Sequence, residues 1–256
     1  MFDRRNFIRN TTLISSGAVV LTKASAENPK ATKVAGYEYR LPKFNKGERL
    51  LFIGDSITDM KWGRNEKDRN HYLGHSYVYL IASRLGVDMP EAELEFFNRG
   101  HSGNRITDLK SRWQKDVIDM KPDLLSILIG VNDRKVKKGQ TFLSDRWESD
   151  YREILTKSRQ ANEKLRIVLL DPFVLKSGWW MNKGGEWDIS RAQIRSMGQI
   201  VSKLARDFNA VHIKTQEVFD AAAKLTGPEQ WIWDGVHPLP QGHELIARNW
   251  LERVSS

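Results

Sequence analysis

Five short apolar runs alternate along the chain with longer segments whose apolar positions recur at helical spacing. The runs predict β-strands at 49–54, 93–98, 123–130, 166–170 and 210–213. The other segments predict α-helices at about 72–85, 106–117, 149–162, 190–208, 215–225 and 240–254, with Gly86 ending the first helix. Because continuous apolar runs suit strands covered on both faces, the alternation predicts one α/β domain with helices on both sides of a parallel sheet.

The first run, Leu50 to Ile53, ends abruptly in a polar turn that starts at Gly54. Parallel sheets bind ligands at the carboxyl ends of their strands, so Ser56 is predicted to lie at the edge of a cleft. A serine in that place is a candidate nucleophile if a base can reach it. The same position also suits a residue that only caps the next helix, and this stretch alone leaves both interpretations open.

Residues 1–26 have the features of an export signal rather than of folded structure. Arg4-Arg5 opens a segment that resembles the twin-arginine motif, and a weakly apolar stretch follows at 13–21. Small residues at 24–26 suit a signal peptidase that cuts after Ala26. We therefore interpret 1–26 as the twin-arginine signal peptide of a bacterial protein that is periplasmic or secreted. The alternative is a basic, disordered N-terminus. The polar residues 27–48 predict a lead-in to the sheet.

Composition narrows the chemistry of the chain. The 256 residues carry a formal net charge of +9, of which residues 1–26 contribute +3 and the remainder +6. There is no cysteine, which excludes thiolate metal sites, cysteine nucleophiles and disulfides. The basic residues are scattered apart from a cluster at 134–138, typical of a solvated loop, so no nucleic-acid partner is predicted. No apolar run approaches the roughly 20 residues of a membrane span, so the mature chain is predicted to have no integral membrane segment.

Four polar motifs lie at predicted strand ends or in the final loop. They are Gly54-Asp55-Ser56, Gly100-x-x-Gly103-Asn104, Gly130-x-Asn132-Asp133 and Asp234-x-x-His237. A nucleophilic serine needs a base, an acid that orients the base and donors for an oxyanion, and this set contains all of them. His237 can take the proton of Ser56, and Asp234 can fix the tautomer of His237. The candidate donors are the backbone N–H groups of Ser56 and Gly103 and the side chain of Asn132.

These four motifs, in this order, resemble the four blocks of the SGNH hydrolases, also called GDSL esterases and lipases. They span most of the mature chain and place a hydrolase domain at 49–256. The resemblance implies a three-layer, flavodoxin-like α/β/α sandwich with about five parallel strands, and it implies no metal and no cofactor. The implied residues are the triad Ser56, His237 and Asp234 and the oxyanion hole of Ser56, Gly103 and Asn132. In the glycine block, Gly100 is possible but Gly103 fits better.

Further residues near the motifs are candidates for substrate contacts. Arg105 and Arg134 flank the predicted cleft and suit an acidic substrate. Asp55 is included among these candidates, although we expect it, like Asp133, chiefly to brace its turn.

The long segment 173–190 contains Trp179 and Trp180, which either stack on a sugar or pack the segment against the protein. His71 and His75 have helical metal-ligand spacing but no acidic third ligand, so we interpret them as structural.

The sequence as a whole predicts a serine esterase that forms an acyl-enzyme with an acylated small molecule or polysaccharide. The export signal, the tryptophan-containing segment and the absence of a long apolar lid favour O-acetyl esters of carbohydrates. One alternative is a lipase, thioesterase or lysophospholipase that acts on lipid acyl esters. Another is a non-catalytic carbohydrate-binding protein, which the complete set of motif residues disfavours.

Overall fold

A sheet of five parallel strands forms the centre of the computed structural model, which describes residues 40–137 and 139–255. The strands are β1 (Arg49–Gly54), β2 (Glu95–Gly100), β3 (Leu124–Leu128), β4 (Arg166–Leu170) and β5 (Val211–Ile213). They confirm the strands predicted from the apolar runs. The predicted signal peptide at 1–26, and the lead-in as far as residue 39, lie outside the described residues.

Seven α-helices are described, and most of them connect the strands. They are α1 (Ser56–Asp59), α2 (Tyr77–Asp88), α3 (Ile106–Trp113), α4 (Ser144–Ala161), α5 (Gly184–Asp207), α6 (Thr215–Thr226) and α7 (Pro240–Val254). A π-helical turn, Gln114–Ile118, continues α3. Within the described ranges, no helix has both the length and the apolar content needed to cross a membrane.

The helices form two layers, one on each face of the sheet. On one face α7 packs against α2 and α6, and on the other α4 packs against α3 and α5. Phe52 of β1 contacts the ring of Trp250 in the first layer, and Trp250 Nε1 donates to Ser126 Oγ of β3 at 3.0 Å. In the second layer Trp113 Nε1 donates to Ser158 Oγ at 3.0 Å. The predicted three-layer α/β/α sandwich is therefore confirmed.

The strand order β2-β1-β3-β4-β5 creates a switch point between β1 and β3. From β1 the chain first moves to one side of the sheet and then crosses to the other side to form β3. Gly54, the last residue of β1, pairs in register with Leu128, the last residue of β3. Clefts open at such a switch point because the flanking connections leave in opposite directions. The first and third polar motifs therefore emerge side by side.

Several predicted helix ends were wrong, and those of α2 have identifiable local reasons. Gly86 does not end α2, because its backbone does not adopt the left-handed conformation of a helix-ending glycine, and the helix runs on to Asp88. Pro90 disfavours helical backbone at the residue before it, and the helix ends there. The start of α2 is set by Ser76, whose hydroxyl accepts the N–H of Val78 at 3.2 Å. Both α4 and α5 begin earlier than predicted, at Ser144 and Gly184.

Candidate active site

Ser56 is the first residue of α1, directly after the turn that ends β1. Asp55, not Ser56, caps this helix, because its Oδ1 accepts the N–H of Ile57 at 3.0 Å. The turn requires glycine at position 54, where a Cβ would collide with the carbonyl oxygen of Leu128 and the hydroxyl of Thr58. The capping function that the sequence left open for Ser56 thus belongs to its neighbour, and the Ser56 hydroxyl is available for another partner.

A line of hydrogen bonds joins Ser56 to the final loop. Ser56 Oγ lies 2.8 Å from His237 Nε2, and His237 Nδ1 lies 2.6 Å from Asp234 Oδ2. Asp234 Oδ1 accepts the backbone N–H groups of Val236 at 2.9 Å and His237 at 2.7 Å. A carboxylate beside Nδ1 requires the imidazole proton there, so Nε2 presents its lone pair to the Ser56 hydroxyl.

Asp234 and His237 also shift each other's ionisation. The hydrogen bond that His237 donates to Asp234 holds the pKa of His237 above the ordinary value for imidazole, although partial burial opposes this. Partial burial alone would raise the pKa of Asp234, but its hydrogen bonds from the ring and backbone of His237 outweigh burial and lower it. The pair therefore favours a charged carboxylate that stabilises a positive charge on the imidazole.

The two positions Gly100 and Gly103 in the second motif require glycine for different structural reasons. A Cβ on Gly100 would collide with the backbone nitrogen of Asp59, so glycine lets the end of β2 pass close to α1. Gly103 has φ of +82° and open space around it, so its conformation rather than crowding requires glycine. Between them, Ser102 donates its N–H and its hydroxyl to Asp59 Oδ2 at 2.9 and 2.8 Å. These bonds tie the Gly103 loop to the helix that carries Ser56.

The third motif forms a short turn, Val131–Asp133, directly beyond β3. Asn132 Nδ2 donates to the carbonyl oxygen of Asn104 at 3.0 Å, and Asp133 accepts the N–H of Ile106 at 3.3 Å. Both bonds hold the turn against the loop that contains Gly103. The structure thus brings the first three motifs together at one edge of the sheet. An amide has two donor hydrogens, so Asn132 keeps one for a ligand.

Asp55 and Asp133 brace the two turns from inside the protein. Burial raises the pKa of Asp55 to about 7, opposed by the N–H of Ile57 and by the charge of His237. Burial also raises the pKa of Asp133 to about 6, opposed by the N–H of Ile106. Asp55 is almost completely enclosed, which does not fit the predicted contact between Asp55 and substrate.

Trp180 is buried and the half-buried Arg134 bonds to other parts of the protein, in contrast to the predicted substrate contacts. Arg134 Nε donates to Val131 O at 2.5 Å and Nη1 donates to Ser190 Oγ at 2.6 Å. Its guanidinium lies over the Trp180 ring, 5.1 Å from the centroid, and burial lowers the pKa of Arg134 to about 10. Only 4% of Trp180 is exposed, and its ring packs so closely against Gly235 that a Cβ there would collide with it. Both residues therefore support the loop that holds Asp234 and His237.

The remaining predicted contacts, Arg105 and Trp179, face solvent. Arg105 Nε donates to the carbonyl oxygen of Asn132 at 3.2 Å, which places this cation beside the third motif. Trp179 is 67% exposed, with Lys183 Nζ 4.8 Å from its ring centroid. Trp233, next to Asp234, is 61% exposed, and the backbone at Gly178 packs against the backbone of Trp233 and Asp234. One exposed indole ring, that of Trp233, thus lies in the loop of Asp234, and the other, that of Trp179, lies in the segment packed against this loop.

Sequence reasoning missed three residues that shape this site: Asp59, Arg112 and Trp233. Asp59 anchors Ser102, and Arg112 donates to Asn104 Oδ1 at 2.9 Å. Nothing in the local sequence distinguishes Arg112 from other helix-surface arginines. Trp233 did have a local signal, since an aromatic residue precedes the motif Asp234-x-x-His237 directly.

His71, one of the two histidines at metal-ligand spacing, contacts a carboxylate. His71 Nδ1 lies 2.9 Å from Asp68 Oδ2 in an exposed turn. Over residues 40–137 and 139–255, no three His, Asp or Glu side chains are grouped as a metal site would require.

An α/β sandwich that brings serine, histidine and aspartate together at its strand ends has the arrangement of a serine hydrolase. The chain belongs to the GDSL-like lipase/acylhydrolase family, whose sequence pattern matches residues 52–245. It is 35% identical over 220 residues to an acetylxylan esterase from Geobacillus stearothermophilus, covering 83% of this chain and 96% of that one. The chain is accordingly a carboxylic ester hydrolase.

Solved structures agree with this assignment. A protein from Parabacteroides merdae described as a GDSL-like lipase superposes with a TM-score of 0.77 and 33% identity, covering 84% of this chain and 99% of that one. A catalytic mutant of the Geobacillus esterase superposes with a TM-score of 0.73 and 33% identity, covering 84% of this chain and 97% of that one. In the structures of that esterase described as catalytic mutants, alanine replaces a serine, an aspartate or a histidine. That aspartate precedes the histidine by three positions, as Asp234 precedes His237 here.

Proposed function

We propose that this protein hydrolyses O-acetyl esters of carbohydrates, with Ser56 as nucleophile, His237 as general base and Asp234 as the residue that orients His237. The observation that carries the proposal is the line of hydrogen bonds through these residues, with distances of 2.8 and 2.6 Å. A serine hydroxyl is a weak nucleophile until a base takes its proton. Here the base is within hydrogen-bond reach and its tautomer is set by a carboxylate.

The reaction proceeds in two steps. In the first, Ser56 Oγ attacks the ester carbonyl carbon while its proton moves to His237 Nε2. The negative oxygen faces the N–H groups of Ser56 and Gly103 and the Asn132 amide. His237 then gives the proton to the leaving sugar oxygen, and the acyl group remains on Ser56. In the second step, water loses a proton to His237 and attacks the acyl-enzyme, which releases acetate and restores the Ser56 hydroxyl.

Two observations support an acetylated carbohydrate as the substrate. One is the similarity to an acetylxylan esterase over nearly the whole length of that protein. The other is the exposure of Trp179 and Trp233 beside the final loop, because indole rings offer flat apolar faces to sugar rings. The predicted lipid-directed alternative differs in acyl chain length and can be separated from this proposal by experiment.

The test is acetate release from acetylated xylan and acetylated xylo-oligosaccharides, together with hydrolysis of p-nitrophenyl esters of increasing chain length. We expect the wild type to release acetate and to prefer the acetyl ester. Ser56→Ala lowers kcat by about 10⁴-fold or more, because the nucleophile is lost. Ser83→Ala is the matched control, since Ser83 lies on the exposed face of α2 and bonds only to Tyr79 O within the described structure.

Three results would contradict the proposal. A preference for long acyl chains without acetate release from glycans indicates a lipid-directed esterase. Full activity in Ser56→Ala places the nucleophile elsewhere. Glycan binding without turnover, unaffected by Ser56→Ala, indicates a non-catalytic carbohydrate-binding protein.

A further inference from the structure

A pocket with a volume of about 190 Å³ lies beside the turn Val131–Asp133. Its walls come from the start of α3, the segment after the turn and the first part of α4. Three cationic side chains line it, and each comes from a different one of these walls: Arg105, Lys135 and Arg146. None of these three side chains belongs to the four sequence motifs, although Arg105 directly follows Asn104, the last residue of the second motif.

The three cations have little internal charge compensation. Arg105 Nε donates to a neutral carbonyl, that of Asn132, at 3.2 Å. Arg146 is 74% exposed and approaches a carboxylate, that of Asp150, only at 4.0 Å. Lys135 is held through its backbone, which exchanges hydrogen bonds with the side chain of Gln193 at 2.8 and 3.0 Å. Among the described residues, neither Arg105 nor Lys135 has a carboxylate partner within ion-pair distance of its charged group.

The two carboxylates in the same pocket offset part of this positive charge, but each also has a partner outside the three cations. Asp133 is buried and accepts the N–H of Ile106 at 3.3 Å, and the charges of Arg105 and Lys135 act on it from beyond ion-pair distance. Asp150 is paired with Lys110, whose Nζ lies 2.8 Å from Oδ1. The pocket therefore presents positive charge to a ligand that enters it. Such charge attracts anions, and arginine in particular matches the two oxygens of a carboxylate.

The pocket adjoins the candidate active site through Arg105 and Asp133. Arg105 contacts the carbonyl oxygen of Asn132, whose amide is a proposed oxyanion donor. Asp133 is close enough to Asp55, the neighbour of Ser56, for its negative charge to raise the pKa of Asp55. A polymeric substrate with its ester at Ser56 therefore has a neighbouring unit within reach of the pocket.

We infer that this pocket binds the carboxylate of an acidic sugar, a uronate, carried by the same glycan whose acetyl ester is cleaved at Ser56. Arg105 and Arg146 bind the carboxylate oxygens, and Lys135 adds a third positive charge. This inference rests on the proposed function and narrows its substrate class to acetylated glycans that carry uronate units.

The test compares kcat/KM for acetate release from acetylated xylo-oligosaccharides with and without a uronic acid branch. Loss of one charge-assisted contact weakens binding by roughly tenfold. We therefore expect the wild type to prefer the uronate-bearing oligosaccharide by about tenfold or more, through KM, with a smaller preference at high salt. Arg146→Gln and Arg105→Gln reduce that preference. Arg146 is mostly exposed, so its replacement does not threaten folding.

Arg152→Gln is the matched control, because Arg152 lies on the same helix as Arg146 but pairs with Glu148 and Asp207. It should keep the wild-type preference. Equal kcat/KM for both oligosaccharides in the wild type and in the variants overturns the subsite and leaves the proposed function intact. Hydrolysis of p-nitrophenyl acetate without acetate release from either oligosaccharide overturns the proposed function, and the subsite with it.

Discussion

At the scale of single residues, Asp234 holds His237 with both of its carboxylate oxygens. One oxygen bonds the imidazole at Nδ1, and the other accepts the backbone N–H groups of Val236 and His237. The first contact fixes the tautomer and the ring plane, and the second fixes the carboxylate itself. These contacts orient the imidazole towards Ser56, and general-base catalysis needs such positioning.

Replacement of Asp234 by asparagine should change both the rate and its pH dependence. In the proposed mechanism His237 must be neutral to take the proton of Ser56, so kcat/KM rises as the pH rises through the pKa of His237. The carboxylate holds this pKa above its ordinary value, so in Asp234→Asn the rise should move to lower pH. We also expect kcat to fall by about 10³–10⁴-fold, because an amide can stabilise the wrong tautomer and cannot stabilise the imidazolium. A kcat/KM profile on p-nitrophenyl acetate from pH 5 to pH 9 measures both effects.

The chain contains a matched control for this substitution. Asp68 pairs with His71 at the same three-residue spacing, with Nδ1 and Oδ2 2.9 Å apart, but in an exposed turn. Asp68→Asn should leave the profile unchanged. If Asp234→Asn lowers kcat while the rise in kcat/KM stays at the wild-type pH, the carboxylate does not set the ionisation of His237.

At the scale of elements, Arg134 joins three segments that the candidate site depends on. It bonds Val131 in the turn that carries Asn132, bonds Ser190 near the start of α5, and lies over Trp180. Trp180 in turn packs against Gly235 in the loop of Asp234 and His237. Arg134 thus links the turn at one strand end to the loop that carries Asp234 and His237.

Arg134→Met should therefore reduce stability and activity together. Loss of two charge-assisted hydrogen bonds costs about 2–4 kcal/mol of the free energy of unfolding, and displacement of Trp180 lowers kcat more than it changes KM. Arg134→Lys keeps the charge but cannot bond both partners and stack on the indole, so it should recover only part of either. Urea unfolding and steady-state kinetics measure the two effects.

Arg195→Met provides the comparison for Arg134→Met, because Arg195 is an exposed arginine on α5. It should be close to wild type in both measurements. A loss of stability in Arg134→Met with unchanged kcat and KM would show that Arg134 supports the fold without positioning the site.

The elements that sequence patterns predicted well are those determined by local burial. Leu50 to Ile53 form a continuous apolar run because β1 is covered on both faces, and such a run specifies a strand without knowledge of its neighbours. The start of α2 depends on a single side chain, Ser76, in a polar segment with several possible caps. The pattern of polar and apolar residues does not distinguish Ser76 from the other candidate capping residues.

The same distinction holds for the candidate site. Its four motifs were recognisable because each concentrates polar residues and glycine within a few positions. The contacts that hold the motifs in place were not recognisable from the sequence. Asp59 and Ser102 are 43 positions apart, and Arg134 and Ser190 are 56 positions apart. The predicted roles of Arg134 and Trp180 depended on whether they face outwards. Tertiary packing buried the Trp180 ring and directed the Arg134 guanidinium towards Val131 and Ser190.

At the scale of the whole molecule, the candidate site exists only when the entire domain has folded. Ser56 and His237 are 181 positions apart, and parallel strands from distant parts of the sequence bring them together. The chain has no cysteine, so packing of the core, without disulfides, must stabilise this arrangement.

We propose that residues 1–26 direct the protein through the twin-arginine route, and that the mature chain begins at Glu27. The support is the order of Arg4-Arg5, the apolar stretch and the small residues that end at Ala26. In a bacterium with this export route, we expect esterase activity in the periplasmic or extracellular fraction and Glu27 as the first residue by mass spectrometry. Exchange of both Arg4 and Arg5 for lysine should retain full-length protein in the cytoplasm, because the route distinguishes the arginine pair from other basic residues.

Arg9→Lys makes the same exchange outside the pair and should leave export intact. A wild-type chain that stays in the cytoplasm and keeps residues 1–26 would show that this basic segment is not an export signal.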